Sequence, residues 1–133
     1  MRLVPISADN VKNVWAYVAK FIEAACKKGP DNLSPNDLRV SCETSRHQLW
    51  VLISNNGAEA AAVTGIYDDD EVRRAEWIAF GGSGDVWQEF MAPIEQWAKD
   101  QGCTAFRSYG RPGMTKRMPT EYRVKGIIFE KSL

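Results

Sequence analysis

Residues 72–109 read VRRAEWIAFGGSGDVWQEFMAPIEQWAKDQGCTAFRSY, and the fold turns on how they divide. Val72–Phe80 is rich in apolar, β-branched and aromatic residues, the composition of a strand. Gly81-Gly82-Ser83-Gly84-Asp85 breaks that strand, and its aspartate stands where a helix cap belongs. From Val86 to Gln101 the apolar spacing changes to three and four, which puts Trp87, Phe90, Met91, Ile94 and Ala98 on one helical face. Pro93 lies inside that run, where a missing N–H costs about 3 kcal/mol unless the chain bends, so the sequence predicts a bent helix. Gly102 ends the helix, and Cys103–Tyr109 is a second strand. Two strands joined through a helix are parallel, and the crossover between them is almost always right-handed.

Upstream, Gln48–Ser54 reads as a strand, Asn55-Asn56-Gly57 as a hairpin turn, and Ala58–Tyr67 as its partner. Asp68-Asp69-Asp70 turns the chain again into Val72–Phe80, which completes an antiparallel meander. Further upstream, Val11, Val14, Trp15, Val18, Ile22 and Ala25 recur at helical spacing, so a helix is expected from about Asp9 to Lys28, capped by Ser7 or Asp9. Lys27-Lys28-Gly29-Pro30 is its stop signal. Ser34-Pro35 opens a second helix to about Arg46, with a capping hydroxyl before proline at the first helical position. A short first strand spans Arg2–Ile6, and a last strand is expected over Tyr122–Lys131. The predicted fold is a single domain, 1–133, of class α/β (α+β). It has a mixed sheet with an antiparallel meander, a central β-α-β crossover, and helices on both faces. Trp15, Val18, Ile22, Phe90, Ile94 and Phe106 are the expected core.

Composition narrows the function. Hydrophobic residues are 44% and charged residues 26% of the 133, which is ordinary for a globular chain and argues against disorder. Seventeen basic residues balance seventeen acidic ones, and no basic stripe marks a nucleic-acid partner. Apolar runs fall short of the roughly 20 residues of a membrane span, and Met1–Ile6 lacks the apolar core of a signal peptide. Cys26, Cys42 and Cys103 are odd in number and widely spaced, which fits reduced thiols and a cytoplasmic location. One histidine, His47, and three scattered cysteines offer no zinc spacing, so no metal is expected. His47 itself reads as a residue at the end of the second helix.

The element order strand, helix, helix, three antiparallel strands, helix, strand, strand resembles that of the GCN5-related N-acetyltransferases (GNAT superfamily) over nearly the whole chain. Within that superfamily, Gln48–Val51, Ala60–Thr64, Ile94–Cys103 and Gly110-Arg111-Pro112-Gly113 resemble short acetyltransferase-like proteins of tailed bacteriophages and prophages. The resemblance implies acetyl transfer from acetyl-CoA to an amine. The strand Trp77-Ile78-Ala79-Phe80 would pair with the pantetheine arm. The loop Gly81-Gly82-Ser83-Gly84, with Val86, would hold the pyrophosphate on backbone donors at the helix N-terminus. Glu76 would be the general base, and on the strand pattern alone it reads as a solvated residue. In the family, the proton donor to the CoA thiolate is a tyrosine several residues before the last strand. That position falls here near Arg117 or Met118, leaving Tyr109 as the substitute.

The loop departs from the family pattern by carrying no Arg or Lys. Asp85 as a cap would compete for the donors that a pyrophosphate needs, so acetyl-CoA is expected to bind weakly. The same loop also reads as a tight glycine turn with an aspartate cap. The alternative function is therefore a non-catalytic phage structural or host-interaction protein that keeps the fold. Its partner would be a phage or host protein, and its place the host cytoplasm or the virion.

Overall fold

The computed structural model describes residues 1–28, 33–82, 86–109, 122–126 and 129–133. Five strands form one sheet in the order β1 (Arg2–Ile6), β2 (Gln48–Ser54), β3 (Gly57–Asp69), β4 (Val72–Gly82) and β5 (Ala105–Ser108). The first three pairings are antiparallel and the β4–β5 pairing is parallel. The meander and the crossover thus follow the sequence reading, each with bounds shifted by a few residues.

Helices α1 (Val11–Lys28) and α2 (Pro35–Glu43) cover one face. Val18, Ile22, Leu38 and Cys42 pack there on Leu49, Val51 and Val63. A short 3-10 turn, Ala8–Asn10, leads into α1, and Ser7 makes no side-chain cap. Ser34 does cap α2: the Asp37 N–H donates to its hydroxyl at 3.3 Å, with Pro35 just inside. Helix α3 (Trp87–Asp100) covers the other face and runs through Pro93. Its Phe90 and Ile94 meet Trp50, Leu52, Ala62 and Trp77. Between the two layers, β3 places Ala60, Ala61 and Ala62 at zero exposure, because a central strand covered on both faces accepts small side chains where helices approach closely.

Of the expected core, Val18, Ile22, Phe90 and Ile94 are fully buried, whereas Trp15 and Phe106 are half-buried. Two expectations fail. Tyr122–Gly126 and Phe129–Leu133 belong to no strand, and Val124 and Phe129 are exposed; residues 127–128 of that segment lie outside the described residues. Gly126 interrupts the apolar run there, and no sheet neighbour takes it up among the described residues. The parallel pair β4–β5 consequently stands at one edge of the described sheet and not at its centre.

Candidate functional site

The edge formed by β4 and β5 has a particular shape. Val63 pairs with Ala79 and Thr64 with Trp77, so Ile78 is an extra residue and β4 bulges there. Such bulges bend a strand and end its pairing on one side. The β5 strand pairs only with Arg74–Trp77, through Ala105–Ser108, yet β4 continues to Gly82. Among the described residues, Ile78–Gly82 therefore keeps one backbone edge with no strand partner. An edge of this kind presents a row of amide donors and acceptors to an incoming chain.

The side chains of this segment point into the core. Trp77 stacks on Phe106, with ring centroids 4.7 Å apart and planes at 25°, and lies against Trp87. Phe80 meets Trp87 and Phe90 edge-on. Ile78 and Ala79 pack on the α1 side. What the segment offers at its edge is backbone, the chemistry that the sequence reading gives to Trp77, Ile78, Ala79 and Phe80.

Two of the loop glycines have a packing reason of their own. A methyl group at Gly81 would sit 2.5 Å from the carbonyl carbon of Phe21 and 2.8 Å from its Cα, closer than real Cβ atoms approach a backbone. Helix α1 thus rests directly on β4 at that point. A Cβ at Gly82 would lie 2.5 Å from that of Ala60. Ser83, Gly84 and Asp85 lie outside the described residues, and Val86 is buried in the α3 cluster. The strand edge accordingly offers free backbone, while Gly81 and Gly82 are accounted for by the packing of the protein itself.

Just before the bulge, Glu76 is only 6% exposed, which corrects the reading of it as solvated. It is buried because it has a partner on its own strand: the Arg74 Nε–H donates to Glu76 Oε1 at 3.2 Å. Residues two apart on a strand share a face, so the spacing Arg74-x-Glu76 carried this signal. Arg74 also holds Asp69 at 3.1 Å. Across the sheet Glu76 is level with Gly65 on β3 and Arg107 on β5. Tyr109, one residue past β5, is exposed, and its hydroxyl stands close enough to influence both Tyr67 and Arg74.

A second polar group adjoins Glu76 through Gly65, and the sequence reading missed it. The Ser41 hydroxyl donates to the Leu38 carbonyl at 2.9 Å, so its oxygen receives the Nδ1–H of His47 at 2.8 Å. That assigns Nε2 as the acceptor, and the Tyr67 hydroxyl donates to it at 3.0 Å. Gly65 makes room for the imidazole, since a Cβ there would lie 2.8 Å from His47 Cδ2. Burial, helped by the Arg46 charge, lowers the His47 pKa from its usual value, against an opposing pull from Glu76. Burial and the Glu76 charge raise that of Tyr67. Both shifts favour the neutral pair that the hydrogen bonds require. His47 therefore ties α2 to β3 and is more than a residue at a helix end.

On the opposite face, the Trp77 Nε1–H donates to the Tyr122 oxygen at 3.2 Å, and the Tyr122 hydroxyl donates to Glu95 at 3.1 Å. Burial pushes the Cys42 thiol up to about 12, and it raises Cys26 and Cys103 as well. No group of metal-ligating side chains occurs among the described residues, and no described helix is long and apolar enough to cross a membrane.

An antiparallel meander, a bulged fourth strand and a short parallel fifth strand beside its first half, with helices on both faces, match the fold of the GCN5-related acetyltransferases. Solved structures bear this out. The chain superposes on a tetramutant of the BH1408 protein from Bacillus halodurans with a TM-score of 0.75 at 12% identity, over 100% of both chains. It matches an aminoglycoside acetyltransferase, meta-AAC0020, from an uncultured soil metagenomic sample, crystallised with sisomicin. That TM-score is 0.71 at 8% identity, over 99% of this chain and 95% of the other. A GNAT family acetyltransferase from Staphylococcus aureus gives a TM-score of 0.67 at 15% identity, over 100% of both chains. No family model matches the sequence, and a comparison with curated proteins gives no match. At these identities the likeness is one of fold.

Proposed function

We propose that the protein is an acyl-CoA-dependent N-acetyltransferase acting at the edge of β4 beyond its pairing with β5. The observation that carries this reading is the backbone edge Ile78–Gly82, left without a strand partner among the described residues, with the buried carboxylate of Glu76 immediately before it. Acetyl-CoA, when bound, supplies the acyl group. The amides of Ile78, Ala79 and Phe80 would hold its pantetheine arm as an added strand is held, starting just past Trp77, which is itself paired with Ser108. Its phosphates would fall to the loop Gly81–Gly84 and Val86, the segment that the resemblance assigns to them. Glu76 takes the proton that the acceptor amine must lose. With Oε1 on Arg74, its second oxygen receives that proton, and its burial calls for an intervening water. Tyr109, exposed at the end of β5, is the group that returns a proton to the departing thiolate.

One observation favours a non-catalytic reading, in which the fold serves as a phage structural or host-interaction protein. The backbone of Phe21 already accounts for Gly81, so that glycine needs no phosphate to explain it. The test is release of CoA thiol from acetyl-CoA with a panel of primary amines, for the wild type and Glu76→Gln. The enzyme reading expects turnover that drops about a hundredfold or more in kcat for the variant, with the KM for acetyl-CoA unchanged. Equal rates in the two proteins would remove Glu76 from the chemistry, and no turnover with any amine would favour the non-catalytic protein.

A further inference from the structure

The charges near Glu76 are unequal. Phe106 packs on the α3 face, so alternation puts Arg107 on the face that carries Glu76. Arg74 is shared between Glu76 and Asp69. On the other side, beyond Gly65, Arg46 stands beside His47, and its charge acts on both His47 and Tyr67. Neither Arg46 nor Arg107 has an ion pair among the described residues.

The two uncompensated arginines differ in setting. Arg107 lines an open depression together with the acidic turn Asp69, Asp70 and Glu71, which repels anions. Arg46 lines a depression of about 420 Å³ at the start of β2, where β3 runs on past its last β2 partner. Its polar walls include His47, Gln48, Thr64, Arg73 and Gln101, and no carboxylate is among the residues that form it. The Arg73 charge there is met by Asp68, while that of Arg46 is not.

We infer that the acceptor is an amine that also carries an anionic group, a carboxylate or a phosphate, which Arg46 receives in this depression while the amine faces Glu76. This deepens the proposed function and rests on it. Glu76 and the Arg46 depression are separated by about two strand spacings, roughly 10 Å. An arginine side chain spans much of that distance, so the amine and the anion need be only a few bonds apart. Polycationic amines meet the unpaired charge of Arg46 in this depression, with no carboxylate in its lining to offset it, and are disfavoured there.

The test measures the melting temperature with millimolar L-glutamate, O-phosphoethanolamine, spermidine or sisomicin at constant ionic strength. The wild type and Arg46→Gln are compared; Arg46 is exposed and unpaired, so its replacement leaves the fold intact. L-glutamate or O-phosphoethanolamine should stabilise the wild type more than either cationic amine does, and the variant should lose at least half of that shift. The arm with the larger shift distinguishes carboxylate from phosphate. A larger shift with spermidine or sisomicin, no shift with either anionic amine, or a full shift in the variant would overturn the inference. A parallel titration with acetyl-CoA separates it from the proposed activity. An acetyl-CoA shift without an anionic-amine shift refutes the acceptor class alone, and the reverse result refutes the acyl donor.

Discussion

Replacing Gly81 by alanine tests the closest approach in the fold. The backbone of Gly81 lies outside the left-handed region, so alanine meets no torsional penalty there, and the whole effect is steric. The added methyl carbon would sit 2.5 Å from the Phe21 carbonyl carbon and 2.8 Å from its Cα, and closer still to the carbonyl oxygen. Ordinary contact begins near 3.4 Å, and the atoms in the way belong to a helix backbone, which cannot swing aside like a side-chain tip. Helix α1 must lift from β4 by roughly an ångström, along an interface that buries Val18 and Ile22. Overpacking typically costs about 1–3 kcal/mol, and a backbone clash belongs at the upper end, near 3 kcal/mol. Against a typical domain stability of about 5–15 kcal/mol, the variant should still fold. Urea denaturation of Gly81→Ala beside the wild type measures the loss, with Gly126→Ala as the control, since nothing lies within 4 Å of a Cβ there. The loss should be the same with and without acetyl-CoA. A loss below about 0.5 kcal/mol, within the range of an ordinary surface substitution, would refute the packing argument and return Gly81 to the cofactor.

Ile94→Ala, at zero exposure on α3, should cost about 2–5 kcal/mol in the same experiment; a negligible cost would mean that α3 faces another way. His47, with its pKa lowered from 6.5 by burial and by Arg46, is accommodated neutral in the fold. The stability that this supports is whole above the unfolded pKa and declines as the pH falls below it, because the unfolded chain takes up the proton first. Between about pH 7.5 and about pH 5.5 the wild-type urea midpoint should therefore fall further than that of His47→Gln, and an equal fall would show that the Ser41–His47–Tyr67 chain does not depend on a neutral ring.

Much of the architecture was legible because it is written in local patterns. The change of period after Gly81–Asp85, the Asn55-Asn56-Gly57 turn and the Ser34-Pro35 cap each mark an element through neighbours in sequence. The last strand was misread for the same reason: Tyr122–Lys131 has strand-like composition, but a strand needs a neighbour, and composition does not supply one. The site was legible only in part. Glu76 was named from the sequence as the candidate base, but its burial depends on Arg74, whose same-face spacing was visible and went unused. The link from Ser41 through His47 to Tyr67 joins residues 26 positions apart, and its only trace in the sequence is the small residue Gly65 that admits the ring. Gly81 suggested a phosphate cradle because a glycine run looks the same whether a ligand or a helix backbone comes close.

The central claim, that the edge of β4 takes an acyl-CoA, is tested most directly by thermal denaturation of the wild type over increasing acetyl-CoA. At ten times its dissociation constant a ligand of the folded state stabilises it by about 1.4 kcal/mol, a rise of roughly 4–6 °C for a chain of this size. A loop without Arg or Lys and with the acidic Asp85 two positions ahead of α3 in the sequence weakens the phosphate contacts, so the rise should develop between high micromolar and millimolar concentrations and should be larger in Asp85→Gly. A melting temperature that stays unchanged through millimolar acetyl-CoA, in the wild type and in Asp85→Gly alike, would contradict the account.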